Sequence, residues 1–324
     1  MRVSTLAIAL WLTACGSSLS PAEHIERTRV IAARVHAEGD PTRASLVAGE
    51  RGTIEYLVAS PGASSDLLGA SFGACLYASA AGYNGVLGCS GAIFDGWQGD
   101  VSAAFAPAFE VAFDVPVSPD SSTLLAYLAT CVDGPATLDA SVPSVVCAGD
   151  GRSDLHRSLV PIVTDAALAN HNPNLRDQHY FLDDVLWTEP QAAAGANGCA
   201  AFGGTSSLPL VRQSRVEPPL SIFGITPDDR ESYRAYDADS RPIVAREAID
   251  VTQFATHGTA ADPVRFDDAS GLVASMPWIP PSDAELTSAQ RGALATGLLV
   301  RLWFVARDRR GGSDWAERDL CLVP

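Results

Sequence analysis

The first half of the chain alternates apolar and polar residues in short segments, which is the pattern of strands with one face on a core. In segment 109–115, Phe and Val alternate with Glu, Ala and Asp, so one face of this strand is expected in solvent. Segment 123–131 is apolar on both faces and predicts a central strand. Segments 53–58 and 155–163 predict two further strands, and breaks containing Pro, Gly or Asn separate the segments.

The second half shows the same pattern. It predicts strands at 180–187, 249–254, 272–276, 298–306 and 313–323. Residues 308–312, Asp-Arg-Arg-Gly-Gly, predict the tight turn of a closing hairpin between the last two. Thr287 and Gln290 have the spacing of a capping box, which predicts one short helical turn before that hairpin.

Many short strands without alternating amphipathic helices favour sandwiches over a parallel sheet. Segment 164–173 resembles a boundary, with Asn170-His171-Asn172-Pro173 opening the second half. The sequence therefore predicts an all-β protein with two β-sandwich domains in tandem, at residues 25–165 and 171–324.

The N-terminal stretch predicts the compartment. Met1-Arg2, an apolar run from Leu6 to Leu12 and two small residues before Cys15 are typical of a secretory signal. The run is too short to cross a bilayer, which takes roughly 20 apolar residues. A cysteine that lies in an ordinary signal peptide by chance is the alternative interpretation.

Leu12-Thr13-Ala14-Cys15 resembles the lipobox of bacterial lipoproteins. That resemblance implies cleavage after residue 14, lipidation of Cys15 and a tether over residues 15–24. Gly16, rather than Asp, after the cysteine is similar to the outer-membrane form of the sorting rule. We therefore expect an outer-membrane lipoprotein, on the periplasmic face or at the cell surface, whose lipid anchor makes the membrane its first partner.

Charge excludes several partners. The whole chain has a net charge of −16, and without residues 1–14 it has 21 basic against 38 acidic residues, or −17. Nucleic-acid binding needs a basic surface, so it is not expected. Docking to anionic lipid by charge is disfavoured for the same reason.

Six cysteines remain after Cys15, and an even number in an exported protein indicates disulfides. Six cysteines allow 15 pairings. Sequential pairing is our prediction: Cys75–Cys89, Cys131–Cys147 and Cys199–Cys321. A zinc site is disfavoured because the sequence has no Cys-x-x-Cys and no histidines at zinc-finger spacing.

Two sequence features resemble surface lipoproteins of the myxobacterial type. They are the approach Ala48-Gly49-Glu50 to a strand, and the closing hairpin Trp303-Phe304-Val305-x-Arg307-Asp308-x-x-Gly311-Gly312-x-x-Trp315 that ends at Cys321. The resemblance implies two tandem immunoglobulin-like β-sandwich domains and a location at the cell surface. It implies no activity.

Gly69-Ala70-Ser71-Phe72-Gly73 has the Gly-x-Ser-x-Gly form of a hydrolase nucleophile elbow. His156 and His171 lie downstream, which the chain order of such a triad allows. The alternative interpretation is a small-residue strand edge before a disulfide.

Three further groups of residues suggest binding chemistry. His171 and His179, with Asp177, Asp183 and Asp184 nearby, could hold a divalent metal, although a polar loop explains them equally well. Asp237 and Asp239, after Asp228-Asp229, offer hard oxygen ligands for calcium, but the full calcium-loop signature is absent. Trp303 and Trp315 would face each other across the closing hairpin, either as a structural pair or as a sugar or peptide platform.

The leading hypothesis is therefore a non-enzymatic lipoprotein of the cell envelope with a binding, adhesive or structural role. Its ligand would be a protein or a glycan, and calcium is the one cofactor considered. The alternative is a secreted hydrolase or metal-dependent enzyme that uses Ser71 or the region of His171 and His179.

Overall fold

The structure is a computed structural model. It describes residues 22–61, 67–78, 88–90, 93, 95–102, 108–117, 119, 121–132, 134–139, 144–148, 152–190, 198–236, 239–268 and 272–324. No helix in these ranges is long and apolar enough to cross a membrane.

Strands dominate the described residues. The first half contains β1 Arg29–Ala37, β2 Leu46–Val47, β3 Arg51–Ala59, β4 Leu67–Ala78, β5 Gly88–Cys89, β6 Asp95–Ser102, β7 Ala108–Asp114, β8 Thr123–Val132, β9 Ala136–Asp139, β10 Ser144–Cys147 and β11 Ser153–Val163.

The second half contains β12 Tyr180–Leu182, β13 Val185–Trp187, β14 Leu210–Arg212, β15 Leu220–Gly224, β16 Ser232–Tyr236, β17 Pro242–Arg246, β18 Ile249–Ala255, β19 Val264–Phe266, β20 Val273–Pro277, helix α1 Ser288–Leu294, β21 Leu298–Arg307 and β22 Ser313–Val323. The all-β prediction is confirmed at this level.

Four larger sheets build the two halves. Sheet 1 has the order β2-β11-β8-β4-β5, with β6 also on β4, and sheet 2 has the order β1-β3-β7. Sheet 3 has the order β14-β22-β21-β18-β19, and sheet 4 has the order β13-β12-β15-β20. The pairs β9–β10 and β16–β17 are two-stranded ribbons of their own.

The buried residues place these four sheets in one stack. One apolar cluster joins the inner faces of sheets 1 and 2, and includes Phe72, Leu128 and Phe113. Another joins sheets 3 and 4 and includes Phe304 and Trp278. Each half is therefore sandwich-like, with its own core between two sheets.

Strand alternation explains which faces are buried. In β7, Val111 and Phe113 are buried while Glu110, Ala112 and Asp114 are exposed, as the pattern predicts. Strand β8 pairs with β4 and β11, and all but its two terminal residues are buried, which confirms it as a central strand.

Both halves share a strand order. In each, a short early strand pairs in parallel with the last strand, β2 with β11 and β14 with β22. The last strand then pairs antiparallel with the preceding long strand, and that strand with an earlier one. The tandem pattern of the sequence thus corresponds to a repeated arrangement of strands.

A disulfide holds a two-stranded cover on the outer face of sheet 1. The ribbon β9–β10 packs on this face through Leu138 and Val145, and Ile93 packs beside it. The bond Cys131–Cys147 joins β10 of this cover to β8, and Cys75–Cys89 joins β4 to β5 within sheet 1. The bond Cys199–Cys321 joins a 3₁₀ turn to β22. These are the sequential pairs.

Two local predictions differ from the structure. Segment 180–187 is not one strand, because Asp183 and Asp184 adopt positive φ values of 49° and 67° and turn the chain between β12 and β13. Asp tolerates this left-handed region better than most residues, which makes it a suitable turn residue. Helix α1 starts at the predicted Thr287 cap but continues to Leu294, longer than one turn.

A substitution at Gly69 tests how closely the cover approaches sheet 1. A Cβ at Gly69 would lie 2.0 Å from the Gly134 carbonyl oxygen, so Gly69→Ala should destabilise the protein by about 2 kcal/mol through overpacking. At Gly96 in β6 the nearest atom would be 3.6 Å away, so Gly96→Ala should change stability by less than about 0.5 kcal/mol. Denaturant unfolding of both variants measures the difference, and equal stabilities would contradict the close approach.

Candidate functional site

Ser71 lies in the middle of β4, opposite Gln98 of β6 and Ala129 of β8. Its residue is 8% exposed on the face covered by β9–β10, and the alternation of β11 directs His156 to the other face, where its ring meets Tyr56 edge-on. A nucleophile elbow needs a sharp strand-to-helix turn. The elbow interpretation is therefore wrong.

The glycines of this motif have a packing role. A Cβ at Gly73 would approach Leu138 of the covering ribbon to 2.7 Å, and Gly69 faces the backbone at Gly134. Small residues at these outward positions let the ribbon lie close to β4. The alternative of small residues in a strand before the Cys75 disulfide is correct, but the motif does not lie at a strand edge, because β4 is paired with β6 on one side and β8 on the other.

The residues of the second half that could hold a metal make separate contacts and do not share one site. His171 Nδ1 lies 2.9 Å from Glu231 Oε1, while Asp177 and His179 are exposed. Asp183 accepts hydrogen bonds from Arg215 and from the Leu220 amide at the β12–β13 turn. Among the residues that the structure describes, no three His, Cys, Asp or Glu side chains form a group that could hold a metal ion.

The acidic residues proposed to bind calcium make other contacts where the structure describes them. Asp237 and its neighbour 238 lie outside the described residues. The Asp239 carboxylate is 3.4 Å from the Arg241 guanidinium. Asp229 accepts hydrogen bonds from the Thr226 amide and hydroxyl in a capping box, which gives this acid a local structural role.

The two tryptophans of the closing hairpin are buried. Trp303 is 0% exposed and Trp315 is 5% exposed, and they lie diagonally on one face because Trp303 pairs with Glu317 while Val305 pairs with Trp315. A sugar or peptide platform requires open aromatic faces, so that interpretation is wrong. The second apolar face of β21 was the signal in the sequence that another layer covers this strand.

That layer is sheet 2 of the first half. We call the contact between sheets 2 and 3 the junction. Its apolar part is a cluster of nine buried residues: Ile25, Ile31, Ala32, Leu57, Ala59, Phe254, Trp303, Val305 and Trp315. The junction extends the stack of sheets from one half into the other.

Arg34 of β1 is the polar centre of the junction. Its Nη1 donates to Asp314 Oδ1 at 2.6 Å, its Nε donates to Glu55 Oε2 at 3.0 Å, and its guanidinium lies 4.8 Å from the Trp315 ring centre. Asp314 also accepts from the amides of Leu175 and Arg176. The buried charges are therefore paired, as burial of charge requires.

Other hydrogen bonds cross the junction. Arg307 Nη2 donates to the Ile31 carbonyl at 2.8 Å. Asn172 Nδ2 donates to the Val35 carbonyl at 2.7 Å, and its Oδ1 accepts from the Ser313 amide at 3.0 Å. The predicted boundary segment is thus bonded to both halves.

The closing turn at residues 308–312 also contacts the boundary segment. Asp308 accepts from the amides of Arg310 and Gly312 at 2.7 and 2.8 Å, and from Asn170 Nδ2 at 2.5 Å. A Cβ at Gly312 would lie 2.8 Å from the His171 carbonyl oxygen and 2.2 Å from Asp308 Oδ2, so a larger residue would displace backbone of the boundary segment. The Asp-Arg-Arg-Gly-Gly motif therefore holds the turn and also binds the boundary segment.

The ribbon β16–β17, between β15 and β18, is largely exposed. Tyr236 is 74% exposed and Val244 is 79% exposed. Its base is held firmly: Arg310 stacks 4.3 Å from the Tyr233 ring centre and donates to Glu231 at 2.7 Å. Sequence patterns did not identify this ribbon, although Ser-Tyr-Arg-Ala-Tyr at 232–236 does alternate.

Two more groups fix the base of the ribbon. The buried Arg230 donates to the Glu247 carbonyl at 3.2 Å and to Asp268 at 2.9 Å. Glu247 Oε1 accepts from the Glu231 amide at 3.0 Å, while its Oε2 has no hydrogen-bond partner among the described residues. Burial chiefly raises the pKa of Glu247 to about 7, and the nearby Asp308 and Glu231 carboxylates add to the effect.

Comparison with known proteins adds little to this description. A scan against models of protein families finds no match, and neither does a search of curated proteins. Among solved structures, a crystal structure of red sea bream transglutaminase is similar with a TM-score of 0.27 and 7% sequence identity, over 93% of this chain and 32% of that chain. This chain spans about a third of the length of that structure, and a likeness at this TM-score carries no argument about fold or function.

Removal of the Arg34 side chain should destabilise the protein because it leaves Asp314 charged and buried at the junction. We expect Arg34→Ala to lower the free energy of unfolding by about 3 kcal/mol. Arg51→Ala is the matched control, since its pair with Asp114 spans 4.0 Å on the surface and should contribute less than about 1 kcal/mol. Thermal and denaturant unfolding measure the stability of both variants. Equal losses of stability would show that the buried pair at the junction contributes no more than a surface pair.

Glu247 should make stability depend on pH. Its pKa rises from an ordinary value of 4.5 to about 7 on folding, so between these values the folded protein keeps a proton that the unfolded chain releases. Stability should therefore fall as pH rises through this window, by about 3 kcal/mol relative to Glu247→Gln. Denaturant unfolding of the wild type and of Glu247→Gln at pH 5 and pH 8 measures this difference. The prediction is wrong if the free energy of unfolding changes by the same amount in both proteins.

Proposed function

We propose that the chain is a lipid-anchored protein of a bacterial cell envelope. It has a binding, adhesive or structural role, no catalytic activity, and two immunoglobulin-like β-sandwich domains. The observation that carries the proposal is the use of all six cysteines after Cys15 in three disulfides. Disulfides of this kind persist in oxidising compartments, outside the cytosol.

The lipobox-like sequence at Leu12–Cys15 supports attachment to a membrane. A single acyl chain binds a membrane only marginally, whereas two or more hold a protein stably. Because the mature chain has a net charge of −17, charge would not assist its contact with anionic lipids. Covalent acyl chains on Cys15 would therefore supply the attachment.

The repeated strand order supports the immunoglobulin-like assignment. Sheets 2 and 4 read β1-β3-β7 and β12-β15-β20, the positions of strands A, B and E in that fold. Sheets 1 and 3 read β11-β8-β4 and β22-β21-β18, the positions of G, F and C. On this assignment, the ribbon β16–β17 is the B–C connection of the second domain and residues 308–312 form its F–G turn.

Binding is favoured over catalysis by the distribution of exposed and reactive groups. Ser71 is covered, and His171 contacts a glutamate rather than a nucleophile. The ribbon, by contrast, presents large side chains to solvent at the end of the sandwich where binding loops of this fold cluster. A firmly placed, exposed element suits recognition of a protein or glycan.

Substitution of the anchoring cysteine tests the proposal. In a bacterial host fed a labelled fatty acid, we expect the wild-type chain to take up label and remain with membranes until detergent is added. Cys15→Ala should lose both properties, while Ser17→Ala, two residues away, should keep them. Membrane retention of unlabelled Cys15→Ala would refute lipid anchoring.

A further inference from the structure

The ribbon β16–β17 has one face that no described part of the chain covers. Outward positions on β16 are Ser232, Arg234 and Tyr236, and those on β17 are Pro242, Val244 and Arg246. All six are exposed. The opposite face is partly buried, with Tyr233 beneath Arg310. The ribbon thus has one face that is partly buried and one exposed face, which we call the free face.

Both edges of the ribbon are also open. Its two strands form a sheet of their own, and no other described strand pairs with either edge. Open edges present unpaired backbone donors and acceptors and are templates for an added strand. An isolated hairpin is only marginally stable, but Arg230, Glu247 and Arg310 hold this one at its base. The ribbon is therefore ordered in advance of binding, which lowers the entropic cost of docking.

The free face concentrates positive charge. Arg234 pairs across the ribbon with Val244 and Ser232 pairs with Arg246, so the two arginines are diagonal neighbours on one face. No carboxylate of the described residues lies within ion-pair distance of Arg234, and Arg246 is 4.0 Å from Asp268. Asp268 also binds Arg230 at 2.9 Å, so Arg230 and Arg246 share one carboxylate. Arg234 adds a further positive charge beside Arg246, which an acidic side chain of a partner would offset.

These features occur together with the exposed Tyr236, and tyrosine and arginine are among the residues enriched in binding hot spots. We propose that the ribbon docks an extended segment of a partner protein that alternates acidic and apolar residues and adds to it as a third strand. Because successive side chains of a strand point to opposite faces, its acidic side chains would pair with Arg234 and Arg246 on the face that carries Tyr236. Its apolar side chains would lie on the opposite face beside Ile243, which is 42% exposed.

A second copy of the chain is disfavoured as the occupant. Each copy has a net charge of −16 and would bring its own two arginines to a ribbon-to-ribbon contact. Nucleic acid is disfavoured because a phosphate backbone needs an extended basic surface, and the ribbon offers two arginines on this face. The proposal does not depend on the lipid anchor, so it stands or falls separately from the location of the protein.

The test uses the full chain in a non-ionic detergent and fluorescein-labelled ten-residue peptides. The probe alternates glutamate and valine; its controls replace glutamate with lysine, or place proline at two central positions. Fluorescence anisotropy should detect binding of the glutamate–valine peptide and at least about tenfold weaker binding of both controls. Proline lacks the backbone donor that an added strand needs, so equal binding of the proline peptide overturns strand addition.

Charge reversal on the ribbon provides the matched variants. Arg234→Glu together with Arg246→Glu should weaken the glutamate–valine peptide at least about tenfold and favour the lysine–valine peptide. Arg51→Glu, at an exposed arginine on another strand, should leave binding unchanged, and equal unfolding temperatures verify that all variants are folded. The proposal is overturned if the glutamate–valine peptide does not bind, or if it binds the charge-reversed variant as tightly as the wild type. It is also overturned if a single-stranded oligonucleotide competes with the peptide, or if self-association of the chain occludes the ribbon.

Discussion

The contact between sheets 2 and 3 determines how the two halves of the protein are placed against each other. It buries Trp303 and Trp315 against Ile31 and Leu57, so a large apolar area is removed from water where the two halves of the chain meet. Interfaces between domains of one chain are commonly polar and permit relative motion. Here the apolar cluster and the bonds from Arg34, Asn172 and Arg307 join the halves as one stack of sheets.

Charge gives this junction its register. Asp314 has all its partners, Arg34 and the amides of Leu175 and Arg176, only when strand β22 lies over β1 in the observed position. A small displacement would separate buried charges, and an unpaired buried charge is far more costly than an apolar mismatch. The apolar cluster supplies attraction without direction, and the ion pairs select one alignment. Within the second half, Arg310 of the closing turn lies at the base of the exposed ribbon.

Sequence patterns predicted the strands well because alternation reflects a physical need that each strand meets locally. Segment 109–115 has one solvent-exposed face in the structure, as its alternating pattern predicted, and segment 123–131 is buried on both faces. The failures came from contacts between distant parts of the chain. Nothing local to Ser71 shows that a ribbon about 65 residues later lies on it, although the flanking glycines fit such a close approach.

The tryptophan pair illustrates the same limit. Trp303 and Trp315 were correctly placed on one face of the last hairpin, but their burial depends on β1 and β3, more than 240 residues earlier. Arg34 was missed because a single arginine in a strand gives no sign of its partner. The Asp183-Asp184 turn was missed because apolar residues on both sides continue the strand pattern through it.

The path of the chain before β1 has a mechanical consequence. The Ile25 amide donates to the Ala255 carbonyl, the Ala255 amide donates to the Glu23 carbonyl, and the Ile25 side chain is buried in the junction. A pull on the N-terminal end is therefore carried first by β18 of the second half and only then by the first strand of its own half. Tension applied there loads the seam between the halves directly, and both must resist it together.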